Sequence, residues 1–230
     1  MRKNKKGFFI VLEGTDGSGK TTQFKLLIKK LKQFGFKFKT IDFPQYGQPS
    51  AYFVEQYLNG NYGGAKDVGP YKASLFYALD RFSAAQKINN WIDAGFIVVS
   101  NRYVLSNAGH QGGKIKTSGD RNRFWNWLFD LEYNILGIPQ PDLNILIHMP
   151  AEVAQKLVDK KSARQYIKGK KRDLHEADLK HLQDSEKVYL LLARQQRLPV
   201  VECFTNSQLL KPEVINQIIW KIVNSKIKQR

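Results

Sequence analysis

Phe8-Phe9-Ile10-Val11-Leu12-Glu13-Gly14-Thr15-Asp16-Gly17-Ser18-Gly19-Lys20-Thr21-Thr22-Gln23 sets the architecture of the chain. The continuous apolar run Phe8 to Leu12 reads as a strand buried on both faces, as at the centre of a parallel sheet. A glycine-rich turn follows, and then Phe24, Leu27, Leu31 and Phe34 recur at helical spacing up to a stop at Gly35. Glycine, four residues, then Gly-Lys-Thr between a strand and a helix is the pattern of a P-loop. Gly17 and Gly19 permit backbone angles that turn successive N–H groups toward one anion. The helix N-terminus adds its partial positive charge. In such a loop Lys20 reaches the β- and γ-phosphates and the Thr21 hydroxyl ligates Mg²⁺. Gly14, Thr15, Asp16, Gly17, Ser18, Gly19, Lys20, Thr21 and Thr22 are therefore the candidate ATP-binding residues, and Thr21 is the candidate metal ligand.

Outward from this stretch, strands and helices alternate. Strands are expected over residues 36–43, 96–100, 143–148 and 199–203. A short helix is expected over 49–59, followed by a glycine-rich loop to residue 64. A long helix should start near Pro70 and run through Leu75, Ala78, Leu79, Phe82, Ala85, Ile88 and Ile92 to Gly95. Further helices are expected over 124–136, 151–159 and 174–195, and after Pro212. This order predicts an α/β chain with a five-stranded parallel sheet flanked by helices on both faces. No Pro/Gly/Ser-rich linker divides the 230 residues, so a single domain over residues 1–230 is expected.

The formal net charge of +17 raises the question of a nucleic-acid partner. Lys25, Lys29 and Lys32 share one helix face, and Lys221, Lys226, Lys228 and Arg230 form a basic end. Both read as solvated surface, and without an RNA-binding aromatic signature, zinc finger or basic heptad region no specific nucleic acid is expected. No apolar run approaches the roughly 20 residues that span a bilayer, so no membrane association is expected and a cytoplasmic location follows. Cys203 stands alone in an expected strand, which suits a buried, inert thiol.

P-loops serve GTPases, motors and kinases. The guanine-reading Asn-Lys-x-Asp motif is missing, and the strand at 96–100 leads into Asn101-Arg102-Tyr103 rather than ending in acids. The remaining motifs are Phe43-Pro44, Tyr77-Ala78-Leu79-Asp80-Arg81, Asn101-Arg102-Tyr103 with Ser106 and Gln111, and Pro141-Asp142-Leu143. In this order, and behind Glu13 to Gln23, they make the chain resemble the thymidylate kinases over nearly its whole length. The resemblance implies a P-loop kinase fold with a mobile lid, and ATP-dependent phosphorylation of dTMP to dTDP. It implies that Tyr77 stacks near the thymine, that Arg81 hydrogen-bonds the base, and that Arg102 holds the dTMP phosphate. Phe43 and Pro44 would line the pocket, Asn107 and Gln111 would contact base and sugar, and Asp16 would meet the acceptor sugar or the metal shell. For Arg81, a bound ligand is the expected partner of the charge, because adjacent side chains on a helix diverge and Asp80 is badly placed.

In-line transfer needs cationic neutralisation of the moving phosphoryl group. Asp16-Gly17-Ser18 contains no arginine, so the polar segment 160–173 is expected to supply one as the lid. Arg164 is preferred, because arginine at the start of the lid is the commoner arrangement of the family, with Arg172 as the second candidate. Lys20, Arg102 and a lid arginine are the expected catalytic group. The resemblance also implies a homodimer formed through helices beside the sheet, for which Trp125, Trp127 and Phe129 are candidate exposed aromatics. Asn101 stands where many members carry Asp, with Asp16 or Glu176 as candidate replacements. Gln45 and Tyr46 stand where an arginine often follows, and His110 replaces an aromatic residue. These substitutions favour a competing reading, a kinase for another nucleoside monophosphate or a deoxynucleoside; the positive surface carries a third, a catalytically poor ATP- or nucleic-acid-binding protein.

Overall fold

The computed structural model describes residues 6–159 and 179–229. β1 (Phe8–Glu13) leads through the glycine-rich turn into α1 (Lys20–Gln33) and on to β2 (Phe38–Asp42). A 3-10 turn (Pro49–Ala51) and α2 (Tyr52–Leu58) precede α3 (Ala65–Asp93), β3 (Ile97–Asn101), α4 (Val104–Gly112) and α5 (Ser118–Phe129). A π-helical turn (Asp130–Ile135) extends α5, and then come β4 (Leu143–His148), α6 (Ala151–Asp159) and α7 (Leu179–Gln195). β5 (Val200–Glu202), a hairpin of β6 (Phe204–Thr205) and β7 (Gln208–Leu209), and α8 (Pro212–Lys228) close the order.

The expected five-stranded sheet is present, ordered β2-β3-β1-β4-β5 and parallel throughout. Because strand side chains alternate between faces, β1 builds two cores at once. Phe8, Ile10 and Leu12 pack with Leu27 and Leu31 of α1 and with Ile215, Ile219 and Val223 of α8. Phe9 and Val11 pack on the other face with Ala85, Ile88 and Ile92 of α3 and with Tyr103 and Val104. Each fully buried Leu, Ile or Phe contributes about 1.5–3 kcal/mol, which fixes both helical layers on one central strand. The strand order reverses at β1, so the loop after it opens into the crevice where α/β proteins bind ligands.

Three differences from the sequence reading bear on the site. α4 was not expected, since its Ser, Asn, Gly and His are weak helix formers. It is held by burial instead: every residue from Val104 to Gly112 is buried, and a Cβ at Gly109 would fall 2.5 Å from the Tyr189 ring of α7. α3 contains a break at Gly69 (φ 72, ψ 170), so its continuous helix begins at Pro70, where a fixed φ and a missing N–H cost least. On that helix Ala78, Ala85, Ile88 and Ile92 are buried, whereas Tyr71, Leu75, Leu79 and Phe82 are exposed. Trp125 is not an exposed aromatic: it is buried and donates its indole N–H to the Ala108 carbonyl at 3.1 Å. Trp127 and Phe129 are half-buried against the same cluster. Cys203 is buried, and burial pushes its thiol up to about 12.

Candidate active site

The P-loop is shaped by contacts that only glycine tolerates. At Gly17 (φ 82) a Cβ would stand 2.2 Å from the Ala154 carbonyl oxygen of α6, and at Gly14 (φ 147) 2.4 Å from that of Ile147. Gly19 (φ 86) occupies the N-cap of α1; among the described residues no side chain caps the helix there and no acid lies in its first turn. Its first N–H groups are thus left to an anion. Lys20 is folded into the loop, its ammonium donating to the Thr15 carbonyl at 2.6 Å. Ser18 Oγ is buried with no partner among the described residues.

Across from the loop, β3 ends at Asn101 and Arg102 follows it, held at φ 68. A buried acid at the end of β1 secures that corner: Glu13 Oε1 accepts from the Tyr103 backbone N–H at 2.9 Å and Oε2 from the Ser106 hydroxyl at 2.5 Å. Burial, the largest influence, raises the Glu13 carboxyl above its ordinary value. The Arg102 guanidinium pairs with Asp16 and donates to Ser106 Oγ at 3.1 Å and to the Gly14 carbonyl at 3.2 Å. It also lies 3.2 Å from His110 Nε2. Since arginine only donates, Nε2 is the acceptor and the ring proton sits on Nδ1. Burial holds His110 well below its usual value, against the pull of Asp16, so the ring is neutral at pH 7.

Arg81, for whose charge the sequence predicts a bound ligand as partner, is already balanced within the protein. Its charge has a protein partner: Nε and Nη2 donate to the two Glu132 oxygens at 2.6 and 2.5 Å, with both side chains buried. Glu132 lies 51 residues away in the π-helical turn, a distance that local spacing cannot bridge. Arg81 Nη1 remains on the Tyr103 carbonyl at 3.4 Å. Asp80 faces away from Arg81, accepting from the Gln45 backbone N–H at 2.8 Å and the Ser50 hydroxyl at 2.6 Å. Gln45, where an arginine was expected, is thereby turned onto α3.

Asp42 joins the candidate site, although the sequence motifs do not include it. It ends β2 as the register partner of Asn101, and both its oxygens accept from Asn101 Nδ2, at 3.0 and 3.1 Å. Burial raises its carboxyl. Asn101 Oδ1 is buried with no partner among the described residues. The signal was there: Asp42 is an acid at the C-terminal end of a strand, directly before Phe43-Pro44, where such sheets gather their site residues. Asp16, a candidate replacement for the missing acid at 101, is taken up by Arg102. Arg164, Arg172 and Glu176, and the lid at 160–173, lie outside the described residues.

One cleft of about 680 Å³ joins the two halves. Asp16, Gly17, Gly19, Lys20, Thr21 and Thr22 line one end; Phe43, Pro44, Tyr77, Arg81, Asn107 and Gln111 line the other, with Asn101 and Arg102 between them. Gly14, Thr15 and Ser18 are buried behind that lining. Tyr46 and Asp42 also reach the cleft, although neither was singled out from the sequence as a site residue. Asn107 is engaged from below, donating to the Ser74 carbonyl at 3.1 Å and accepting from its hydroxyl at 3.2 Å.

Comparison with known proteins agrees with this layout. The family model described as thymidylate kinase matches residues 12–211. A thymidylate kinase of Mycobacterium tuberculosis (strain ATCC 25618 / H37Rv) is 30% identical over 187 residues, covering 81% of this chain and 86% of the relative. A probable thymidylate kinase of Pyrobaculum aerophilum is 26% identical over 219 residues, covering 95% and 99%. A solved structure described as thymidylate kinase from Candida albicans superposes with a TM-score of 0.74 at 19% identity, covering 98% of this chain and 94% of that one. A P-loop facing an acceptor cleft on this sheet, with the family pattern matched over nearly its full length, makes the chain a member of the thymidylate kinase family.

Proposed function

We propose the following division of labour in the cleft for the family reaction, transfer of the γ-phosphoryl group of ATP to dTMP. The loop N–H groups and the α1 N-terminus receive the phosphates of ATP, and Lys20 leaves the Thr15 carbonyl for the β- and γ-phosphate oxygens. The thymine lies beside Tyr77, with Phe43 and Pro44 as the pocket wall and Arg81, Asn107 and Gln111 at the base edge. Arg102 exchanges part of its contact with Asp16 for the dTMP phosphate, which its fork fits. The acceptor oxygen is then aligned with the γ-phosphorus, and alignment plus charge neutralisation does most of the catalysis.

The residues present fit magnesium. Thr21, Asp42 and the unpartnered Asn101 Oδ1 offer hard oxygen atoms on one wall of the cleft. Among the described residues no cluster of three or more His, Cys, Asp or Glu could hold a metal. That is the donor set of an ion carried in by phosphates and a few side chains rather than caged by protein. Thr21 is the direct ligand in this reading, and Asp42 with Asn101 orders its waters. Held there, Mg²⁺ would supply positive charge against the phosphates during transfer. Arg164 or Arg172 completes the neutralisation from the lid. If Arg164→Ala keeps its kcat while Arg172→Ala loses it, the preference for Arg164 is wrong.

The same reading takes the chain as one domain in the cytoplasm, paired with a second copy. Among the described residues no helix is long and apolar enough to cross a membrane. Tyr71, Leu75, Leu79 and Phe82 form an exposed apolar stripe along α3, which supports a homodimer; sedimentation of a Leu79→Glu/Phe82→Glu variant as a monomer, against a dimeric parent, tests it. The observation that carries the functional reading is the cleft that Lys20 and Thr21 share with Arg102, Tyr77 and Arg81. A coupled assay with dTMP, dUMP, dCMP, dGMP and AMP tests it. Lys20→Ala should abolish turnover, and preference for any acceptor other than dTMP would overturn it.

A further inference from the structure

Among the described residues Lys114 is a lysine without an acid: no carboxylate lies within ion-pair distance of it. Its nitrogen instead donates to Gln111 Oε1 at 2.7 Å, contacts the Tyr57 hydroxyl at 2.6 Å and lies 5.3 Å from the centre of the Tyr57 ring. Burial pushes its pKa down to about 7. Such a placement is costly for an ammonium, so a solvated surface role does not account for it.

The backbone is built to put it there. α4 ends at Gly112, and Lys114 N–H and Ile115 N–H close back onto the Gln111 and Gly112 carbonyls at 3.1 Å each. A Cβ at Gly112 would approach the Trp125 indole nitrogen to 3.0 Å, and one at Gly113 the Ser185 backbone nitrogen to 3.0 Å. The two glycines let the chain turn tightly between α5 and α7, and the turn returns the Lys114 side chain to the helix it has just left.

The consequence falls on Gln111, which is buried and lines the cleft. A side-chain amide has an accepting end and a donating end. Lys114 occupies the accepting end, so Nε2 with its two N–H bonds is the end left for the cleft. Protonated or neutral, the lysine nitrogen has N–H bonds for both Gln111 Oε1 and the Tyr57 hydroxyl oxygen. Tyr57 in turn lies edge-on to Tyr77, with ring centres 6.4 Å apart, so the relay ends beside the aromatic residue assigned to the base.

We propose that Lys114 is a positioning residue for base selectivity: it locks Gln111 with its donor end toward the base, so the cleft accepts a pyrimidine carbonyl and rejects a pyrimidine amino group. Thymine and uracil present a carbonyl oxygen where cytosine presents an amino group. Two donors facing each other in a buried site leave both unpaired. The inference rests on the assignment of this cleft to dTMP, and concerns discrimination within it rather than the phosphoryl transfer.

The test is the ratio of kcat/KM for dTMP over dCMP in the full-length protein at saturating ATP, for the parent, Lys114→Met, Lys114→Arg, Gln111→Ala and the Lys114→Met/Gln111→Ala pair. Lys114→Met frees the amide to rotate and should lower the ratio at least about tenfold, through KM for the nucleotide, with KM for ATP unchanged. Gln111→Ala should lower it comparably, the double variant no further, and Lys114→Arg should keep it. A merely structural role for Lys114 would move KM for both nucleotides alike. Should Lys114→Met not fold, Gln111→Ala and Lys114→Arg decide alone. An unchanged ratio in Gln111→Ala, or full additivity in the double variant, overturns the proposal. Absence of any dTMP turnover by the parent would overturn the assignment of the cleft instead.

Discussion

Removing Glu132 should leave a buried arginine without its counter-charge. Arg81 and Glu132 meet through two hydrogen bonds of 2.6 and 2.5 Å, at 2% and 0% side-chain exposure. With charge centres about 4 Å apart and an effective dielectric near 20, the Coulomb attraction is about 4 kcal/mol. Loss of one partner from such a pair costs about 3–5 kcal/mol, because the survivor stays desolvated. For a chain of this size that corresponds to a fall in Tm of roughly 6–20 °C. Glu132→Ala should show it by urea titration and thermal melting followed by circular dichroism. The Arg81→Met/Glu132→Leu pair should recover to within about 2 kcal/mol of the parent, because two apolar side chains need no pairing. It should still raise KM for dTMP, since Arg81 lines the cleft. A cost below about 1 kcal/mol for Glu132→Ala, or a double variant no more stable than the single one, would refute the reasoning.

Gly17→Ala should weaken ATP binding at least tenfold by calorimetry, as its Cβ would meet the Ala154 carbonyl oxygen at 2.2 Å and push the loop off α6, by about tenfold or more for a loop built to this fit. Gly19→Ala, with nothing within 4 Å of its Cβ, should show only the left-handed backbone cost of about 1–2 kcal/mol. Asp42→Asn should weaken Mn²⁺ binding to the protein–ATP complex about tenfold in a spin-resonance titration; an unchanged affinity removes Asp42 from the metal's surroundings. His148 lies between Glu186 at 2.9 Å and Glu202 at 2.5 Å, and the Glu186 hydrogen bond foremost raises its pKa. The folded value exceeds the unfolded one, so the stabilisation is full below about pH 6.5 and fades as pH rises through the folded value. His148→Gln should flatten that loss in urea midpoints measured from pH 6 to pH 8.5, and an undiminished slope would assign it to another group.

Local repeats are readable from the order of residues alone. An apolar run before Gly14 and a helical pattern after Lys20 define a strand, a phosphate loop and a helix, because strand and helix periodicity act over a few residues and a P-loop needs glycine at fixed offsets. The same logic gave the five strands and the parallel sheet. The resemblance proposes Phe43, Pro44, Tyr77, Arg102, Asn107 and Gln111 for the acceptor, and all six line the cleft. Other features depend on pairs far apart in the chain, which folding alone brings together. α4 is helical because α3, α5 and α7 bury it, against its weak propensity. Arg81 takes Glu132 as its partner across 51 residues, and Asp42 meets Asn101 across 59 through strand register. Lys114 finds Gln111 and Tyr57 because a glycine pair turns the chain between two helices. Charge and hydrogen-bond partners follow from where the sheet and its layers place each group, and a buried polar atom takes whichever partner the packing brings within about 3 Å.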